Sequence, residues 1–345
     1  MQHYDVVAVG GGPAGTATTL ALARRGFKTA LVERTVDPPP RAGETLPGAV
    51  RNALLHLGVL DRFLAGEHDP AVGNRSCWGG DEVEEVHFIH SAYGSGWHID
   101  RQRFERMLLA AAEESGVTLV RGSSLDALSY DGATWRIRAG STEMTARHVI
   151  DATGRASTVA RICGAQRVAI DQLVGITSFY ASKGVDDPQG KFTFIEASET
   201  GWWYSAPLPG ARLVVAYFTD SDLAQNVSPP PHTRERIDAY TLIVPSRVAS
   251  ANTARLSSVI GPAWLAVGDS AVSFDPLSSQ GILTALESAL DAATAIATNQ
   301  LDRYAELVTE RYRDYLVNRA RYYAIEKRWP DSPFWQRRQR GTPAR

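Results

Sequence analysis

The chain has 345 residues, 44% of them hydrophobic and 21% charged, with a formal net charge of −2 at pH 7. Such a chain can build a substantial core, in one large unit or two joined domains; it is not a disordered chain, and its near-neutral charge gives no reason to expect nucleic acid as a partner. Cys77 and Cys163 stand far apart without metal-ligand spacing, so neither a disulfide framework nor a metal site is expected, and no run approaches the ~20 apolar residues of a membrane span.

The first strand is expected from about Tyr4, which leaves no room for a signal segment and places the chain in the reducing cytoplasm. Residues 6–9 are small or β-branched, and they run into Gly10-Gly11-Gly12-Pro13-Ala14-Gly15 and then an alanine-rich helix pattern as far as Arg25. Spacing at Gly10, Gly12 and Gly15 lets the turn close, lets the backbone approach a pyrophosphate, and lets the helix pack on a sheet, with phosphates at the helix N-terminus. A second strand over 28–32 ends in Glu33, followed by Arg34. An acid there falls where ribose hydroxyls would bind and favours FAD or NAD over NADP.

The loop that follows contains Pro38, Pro39 and Pro40, which forbid helix, and then Arg41, Gly43, Glu44 and Thr45. Two readings stand for it: a surface loop held by prolines, or a loop whose backbone donors and arginine face an anionic cofactor. Helical spacing is expected over 49–60. Short strands around Gly79-Gly80, over 74–89, suggest an excursion from the first sheet. His98, beside Trp97, is either a pocket acid or base or a hydrogen-bonded structural residue. Arg101 opens an amphipathic helix with Phe104, Met107, Leu108 and Ala111 on one face, ended by Gly116 before a strand at 117–120. A hairpin is expected over 125–139. A buried strand at 148–152 then runs into Thr153-Gly154-Arg155, a second glycine turn.

From 174 to 218 the apolar period becomes two, with turns at 187–190 and 209–210, which predicts a mainly antiparallel sheet. On a strand, Trp202 and Tyr204 share one face and Trp203 the other; the shared face is either a pocket wall or sheet core. A helix pattern is expected to follow residues 228–232 and to end before Pro245. Another short strand at 264–267 meets Gly268-Asp269-Ser270, and after Pro276 a long helix runs from about Gln280 to Thr298. Residues 302–327 read as helix, and the basic end, with Lys327, Arg328, Arg337, Arg338, Arg340 and Arg345, reads as a solvated or frayed tail.

These turns together resemble the flavoprotein monooxygenases and halogenases with a glutathione-reductase-like FAD fold. ATGRASTVAR, at 152–161, resembles their internal motif with Thr153 in place of the usual Asp. GDSAVSFDPLSSQGI, at 268–282, resembles the segment that touches ribityl and pyrophosphate through Asp269 and sets Pro276 beside the flavin; Ser279, Gln280, Gly281 and Ile282 then begin the helix facing the pyrimidine edge. Arg101 matches a family arginine near the FAD. The resemblance implies an α/β fold: a glutathione-reductase-like, Rossmann-type FAD domain (1–76, 97–164, 257–299), an interleaved mainly antiparallel substrate domain (77–96, 165–256), and C-terminal helices and tail (300–345).

PRAGETLPG, NRSCWGG, GSGWHIDR and DPLSSQG look most like the branch of tryptophan halogenases and, more closely, of flavoproteins that hydroxylate a peptidyl tryptophan while maturing quinone-cofactor oxidases and amine dehydrogenases. Halogenases carry Trp-x-Trp-x-Ile-Pro and a lysine; here the stretch is Trp202-Trp203-Tyr204-Ser205-Ala206-Pro207, and no lysine lies between Lys28 and Lys183. The implied activity is FAD-dependent hydroxylation of an electron-rich aromatic substrate, a tryptophan of a partner protein or a small molecule. Dioxygen would be the co-substrate and NAD(P)H or a separate flavin reductase the electron donor. His98, Trp202, Tyr204 and Pro276 are the pocket candidates. A reductase of carbon-carbon double bonds and a non-catalytic flavin-containing maturation partner are the rivals.

Overall fold

An unbroken apolar run requires cover on both faces of its strand, and in Gln2–Val9 the side chains of Val6, Val7 and Ala8 have no exposure at all. The strand pairs in parallel with Thr29–Glu33 on one side and Thr142–Asp151 on the other. The computed structural model describes residues 1–37, 43–225 and 228–339. Among these, an eight-stranded sheet runs in the order Ile260–Gly261, Trp264–Ala266, Thr142–Asp151, Gln2–Val9, Thr29–Glu33, Thr118–Arg121, with the hairpin Leu125–Tyr130 and Trp135–Ala139 attached to Thr142–Asp151.

The helix Pro13–Ala23 is buried from Pro13 to Leu22. Its alanines, glycine and threonines keep the surface low, so Arg101–Glu114 and Gly281–Thr298 both pack against it. Three threonines cost little there, because Thr16 donates to Gly11 O at 3.1 Å, Thr18 to Ala14 O at 2.7 Å and Thr19 to Gly15 O at 3.0 Å. The helical pattern over 49–60 is two short helices, Val50–His56 and Leu60–Leu64. Gly58, at φ +64°, separates them.

The chain crosses into a second sheet at Gly73–Cys77. That sheet has seven strands among the described residues, in the order Tyr240–Ser250, Leu173–Ser182, Arg212–Asp220, Gly201–Leu208, Phe192–Ser198, Gly73–Cys77, Glu84–His87. All neighbours are antiparallel except Phe192–Ser198 with Gly73–Cys77. One expectation is corrected here. The helix ends at Asp238, and Pro245 sits inside the strand Tyr240–Ser250. This strand is the sheet edge, where a missing N–H facing outward costs no ladder bond, and the register breaks opposite Pro245, between Thr177 and Phe179. Exposure on both faces removes the alternation that would have revealed it.

A second correction concerns the C-terminus. After Leu301–Ile325 the chain turns back as Pro333–Gln339, with Phe334 and Trp335 fully buried against the second sheet. Trp335 Nε1 donates to Ser198 O at 3.0 Å, Arg338 pairs with Asp220 at 2.7 Å, and Arg337 reaches Asp220 and Asp222 at 2.8 and 2.7 Å. A row of arginines read as a solvated end is a clasp, because buried Asp220 needs cations and the two aromatics carry the apolar area. Arg340 and Arg345 lie outside the described residues. Trp335→Ala should lower unfolding stability by about 3–5 kcal/mol through the cavity left behind, read from denaturant midpoints; a change below about 1 kcal/mol would mean that the clasp is only superficial.

Candidate active site

The three glycine turns meet at one end of the first sheet. Gly10 has φ +112°, a conformation L side chains rarely adopt, and a Cβ there would collide with the Ala152 carbonyl. At Gly15 a Cβ would lie 2.8 Å from the Ala152 Cβ, and at Gly268 it would lie 2.8 Å from the Ala14 Cβ and 3.6 Å from the Ala285 Cβ. First turn, second turn and third turn are therefore packed on one another. Gly12 and Gly281 are different: a Cβ at either meets nothing within 4 Å. Gly12 is the N-cap of Pro13–Ala23, and Gln280 that of Gly281–Thr298, and neither helix start has a side-chain cap. Two sets of helix-terminal N–H donors thus border open space, the arrangement that suits a pyrophosphate at one end and a ring carbonyl at the other.

Side chains at the strand ends complete this crevice. Glu33 Oε2 accepts from Gly11 N at 2.6 Å and Oε1 from Thr35 N at 2.8 Å, which pins the acid beside the turn. Arg34 is exposed, and Arg41 lies outside the described residues with Pro38, Pro39 and Pro40. Buried Asp151 accepts from Thr153 N, Thr153 Oγ1 and Ala160 N at 2.9, 2.7 and 2.8 Å, while Thr153 Oγ1 accepts from Thr158 N at 2.7 Å. Thr153 thus works as a local cap. Arg155, after Gly154 at φ +63°, donates to Phe274 O at 3.1 Å and lies 3.6 Å from the half-exposed Asp269 carboxylate, which joins the second motif to the third. Asp275 caps the short turn Pro276–Ser278 through Leu277 N at 3.0 Å, and Ser279, at φ +50°, leads into the helix at Gly281 and buried Ile282.

A seam separates this crevice from the second sheet. Gly43, at φ +109°, runs so close to Arg101 that a Cβ would strike its guanidinium; the same Cβ would lie 3.9 Å from Ile282 Cδ1. Arg101 pairs with Glu105 at 2.6 Å. Thr45 Oγ1 is the seam's polar hub, 3.2 Å from His98 Nδ1, 3.1 Å from Tyr204 OH and 3.3 Å from Thr193 Oγ1. His98 Nε2 lies 3.0 Å from Lys191 O, which can only accept, so the proton sits on Nε2 and Nδ1 accepts from Thr45. Burial pushes His98 down to about 4 and raises Tyr204 well above a usual tyrosine. Both are neutral at pH 7. With both ring nitrogens engaged and no exposure, His98 has the character of a hydrogen-bonded structural residue.

Glu44 is the exception in the seam. It is 2% exposed, and neither carboxyl oxygen makes a hydrogen bond of normal geometry, although the Gly43 and Glu44 amides lie close enough to temper the effect of burial. Burial pushes its pKa up to about 7, opposed also by Arg101. It lines a small hollow of about 20 Å³ with Ile99, Arg101, Phe179, Leu208 and Arg212, and Arg212 is tied to Asp100 at 2.7 Å.

Trp202 is corrected as a pocket candidate. Its ring has no exposure, stacks on Phe218 at 4.2 Å between centroids, and donates from Nε1 to Tyr323 OH at 3.1 Å. The C-terminal helix covers this face, so Trp202 is core. Sequence reasoning missed that helix's contribution: Tyr323 OH donates to Asp275 Oδ2 at 2.7 Å, Asp275 N donates to Tyr315 OH at 2.8 Å, and Arg319 pairs with Asp171 at 3.0 Å and Asp275 at 3.4 Å. The signal was there, as Tyr315, Arg319 and Tyr323 recur every four residues on one helix face. Cys77, Glu196 and His232 also come together, with ligand atoms within 4.8 Å of one another. Glu196, however, holds the start of the helix Pro231–Asp238 through Thr233 N and Oγ1 at 2.7 and 2.6 Å, and Arg328 stands 3.7 Å from the sulfur, a cation where a metal would need the opposite.

Convergent glycine turns, two uncapped helix starts and an acid at the second strand end define an α/β flavoprotein, an FAD-dependent oxidoreductase. The family described as FAD binding domain matches residues 3–312, and the chain belongs to it. It is 30% identical to the protein of Marinomonas mediterranea called LodB, an FAD-dependent oxidoreductase by name, over 98% of this chain and 97% of that one. It is also 26% identical to a tryptophan 2-halogenase of Chondromyces crocatus, over 84% of this chain but 60% of the halogenase. The fold is that of the myxobacterial chondrochloren halogenase CndH, with a TM-score of 0.86 at 24% identity over 98% of this chain and 86% of CndH. Among the described residues no helix is long and apolar enough to cross a membrane.

Gly12→Val should leave the fold intact and abolish FAD retention, since nothing within 4 Å opposes the side chain except the space a pyrophosphate needs; circular dichroism and released-flavin assay check both halves, and a yellow variant would refute the placement. Between pH 4.5 and about 7 the folded chain holds the Glu44 proton and the unfolded chain does not, so folding stability falls as pH rises through that window and is flat above it. Glu44→Gln removes this term. Its stability gain over wild type, in FAD-free protein, should therefore grow from pH 4.5 to pH 8 by on the order of 3 kcal/mol, read from urea midpoints; an equal gap at both pH values would contradict the buried neutral carboxyl.

Proposed function

We propose that the protein is an FAD-dependent monooxygenase that hydroxylates an electron-rich aromatic ring, with a tryptophan side chain of a partner protein as the substrate, in the biogenesis of a quinone cofactor. The observation that carries this reading is the charge of the seam. Among the described residues Arg101 is tied to Glu105 and Arg212 to Asp100, and no lysine stands between Lys28 and Lys183 to handle hypohalous acid. Nearly full-length pairing with LodB supports the same branch, whereas the tryptophan 2-halogenase is matched over 60% of its length.

In this reading Gly10, Gly12, Pro13, Ala14 and Gly15 hold the pyrophosphate on the first helix start, Glu33 takes the ribose, Asp269 the ribityl chain, and the amides of Gly281 and Ile282 face the ring. Bound FAD supplies the reductive activation of dioxygen. The chain's own work is to place and to dry. Neutral His98 and Tyr204, locked through Thr45, keep fixed charge away from their part of the seam, and Phe179 and Leu208 offer an apolar wall against which a ring would pack. Overall, one oxygen atom of dioxygen is inserted into an aromatic C–H bond and the other leaves as water, with two electrons from NAD(P)H or a separate flavin reductase and two protons.

Halogenation is the competing chemistry, because relatives at 25–26% identity carry halogenase names. The two separate by mass. Given reduced flavin, isotopically labelled dioxygen, chloride or bromide, and a tryptophan-containing polypeptide or free indole, the product should gain one labelled oxygen and no halogen. Halogen incorporation without oxygen would overturn the proposal, and oxygen on free indole but not on polypeptide would move the substrate to small molecules.

A further inference from the structure

We propose that Glu44 is a redox-linked proton site, which takes up one proton from solvent when negative charge is placed on the flavin in the neighbouring crevice. This rests on the chain's FAD site but not on oxygen transfer to any substrate. Three observations on geometry carry it. Glu44 is a carboxyl 2% exposed with neither oxygen in a normal hydrogen bond, a state that a structural carboxylate does not keep without a partner. It belongs to the loop that crosses between Arg101 and Ile282, the second residue of the helix whose start faces the crevice. It also lines, with Arg101 and Arg212, a small hollow of about 20 Å³ that is partly open at the surface, which gives a proton a way in.

Among the described residues, the charged or titratable groups packed around it limit what else could move the proton. From the helix Arg101–Glu114 comes Arg101, already bound to Glu105. From the second sheet come Tyr204, held neutral by burial, and Arg212, bound to Asp100. His98, reached through Thr45, stays neutral down to about pH 4. Glu44 is the group among these whose proton is in play near pH 7. Two like charges in a water-poor seam repel, so reduction of the flavin to an anion raises the affinity of Glu44 for a proton, and ionised Glu44 in turn opposes reduction. The balance is simple: two electrons enter with one proton for the ring, and a second proton enters on Glu44 wherever it was ionised beforehand.

The test is the pH dependence of the reduction potential of the FAD-loaded protein, measured anaerobically without substrate, so that failure of the hydroxylase reading would leave it unaffected. Wild type should take up one proton per two electrons below about pH 7 and two above it, so the slope of potential against pH roughly doubles on crossing that point. A ring proton of the flavin itself gives the opposite break, from two to one. Glu44→Gln should show a single slope of one proton per two electrons throughout. A straight line in wild type, or the same upward break kept in Glu44→Gln, overturns the proposal. Should the variant lose FAD, infrared difference spectra of wild type decide: reduction at pH 8 should produce a protonated-carboxyl C=O band that shifts with ¹³C-glutamate, and its absence overturns the proposal equally.

Discussion

Everything in this protein hangs on how closely two strand ends approach. Val9 and Asp151 are partners in the parallel ladder, and the residues that follow them, Gly10 and Ala152, touch main chain to main chain. A methyl group on Gly10 or Gly15 would force the two turns apart, and with them the helix Pro13–Ala23 and the third turn at Gly268, which leans on Ala14. Asp151 holds the arrangement from inside. A buried carboxylate with three donors fixes the turn at Thr153, and burial still raises its pKa, so its neighbours compensate the desolvation only in part. The crevice is the space that this tight contact leaves uncovered.

A second constraint joins the crevice to the second sheet. Asp275, one residue before Pro276, is buried, and its carboxylate receives Tyr323 OH and Arg319 while its amide donates to Tyr315. Tyr323 accepts in turn from the Trp202 indole on the second sheet. One hydroxyl therefore bridges the loop at Pro276 and the second sheet, and the helix Leu301–Ile325 is the strut that carries it. Burying Asp275 beside two tyrosines is tolerable only because Arg319 supplies the charge. The placement of Pro276 thus depends on residues almost fifty positions downstream.

That dependence explains what the sequence could and could not reveal. Local rules made the first sheet legible: glycines at fixed offsets, an apolar run, and an acid at a strand end each have a short-range cause. The antiparallel strands from 173 to 220 were legible for the same reason, since period two survives wherever one face is covered. Tyr240–Ser250 was not, because an edge strand exposed on both faces has no period to show, and Pro245 argued for a stop. The clasp at Pro333–Gln339 was hidden because arginines look solvated until the aspartate they meet is known, and Asp220 is more than a hundred residues away. Trp202 failed as a pocket wall for a like reason. Its face was correctly paired with Tyr204, but what covers that face comes from the far end of the chain. Glu44 read as part of a loop that could face the cofactor, and its unsatisfied burial exists only once Ile99, Arg101 and the second sheet close around it.

Charge placement in the seam bears on chemistry more than its residue types do. Arg101, Arg212 and Arg236 would read from sequence as cations around a pocket, yet each faces a carboxylate: Glu105 at 2.6 Å, Asp100 at 2.7 Å and Asp187 at 2.7 Å. Paired guanidiniums attract an outside anion weakly, because the nearby opposite charge cancels most of the field beyond a few ångströms. The groups left over are neutral ones, His98, Tyr204 and Thr45, joined in a chain that ends on a main-chain carbonyl. Under the proposed hydroxylation, such a seam would hold an aromatic ring against apolar surface, with the buried carboxyl Glu44, its pKa raised to about 7, beside it.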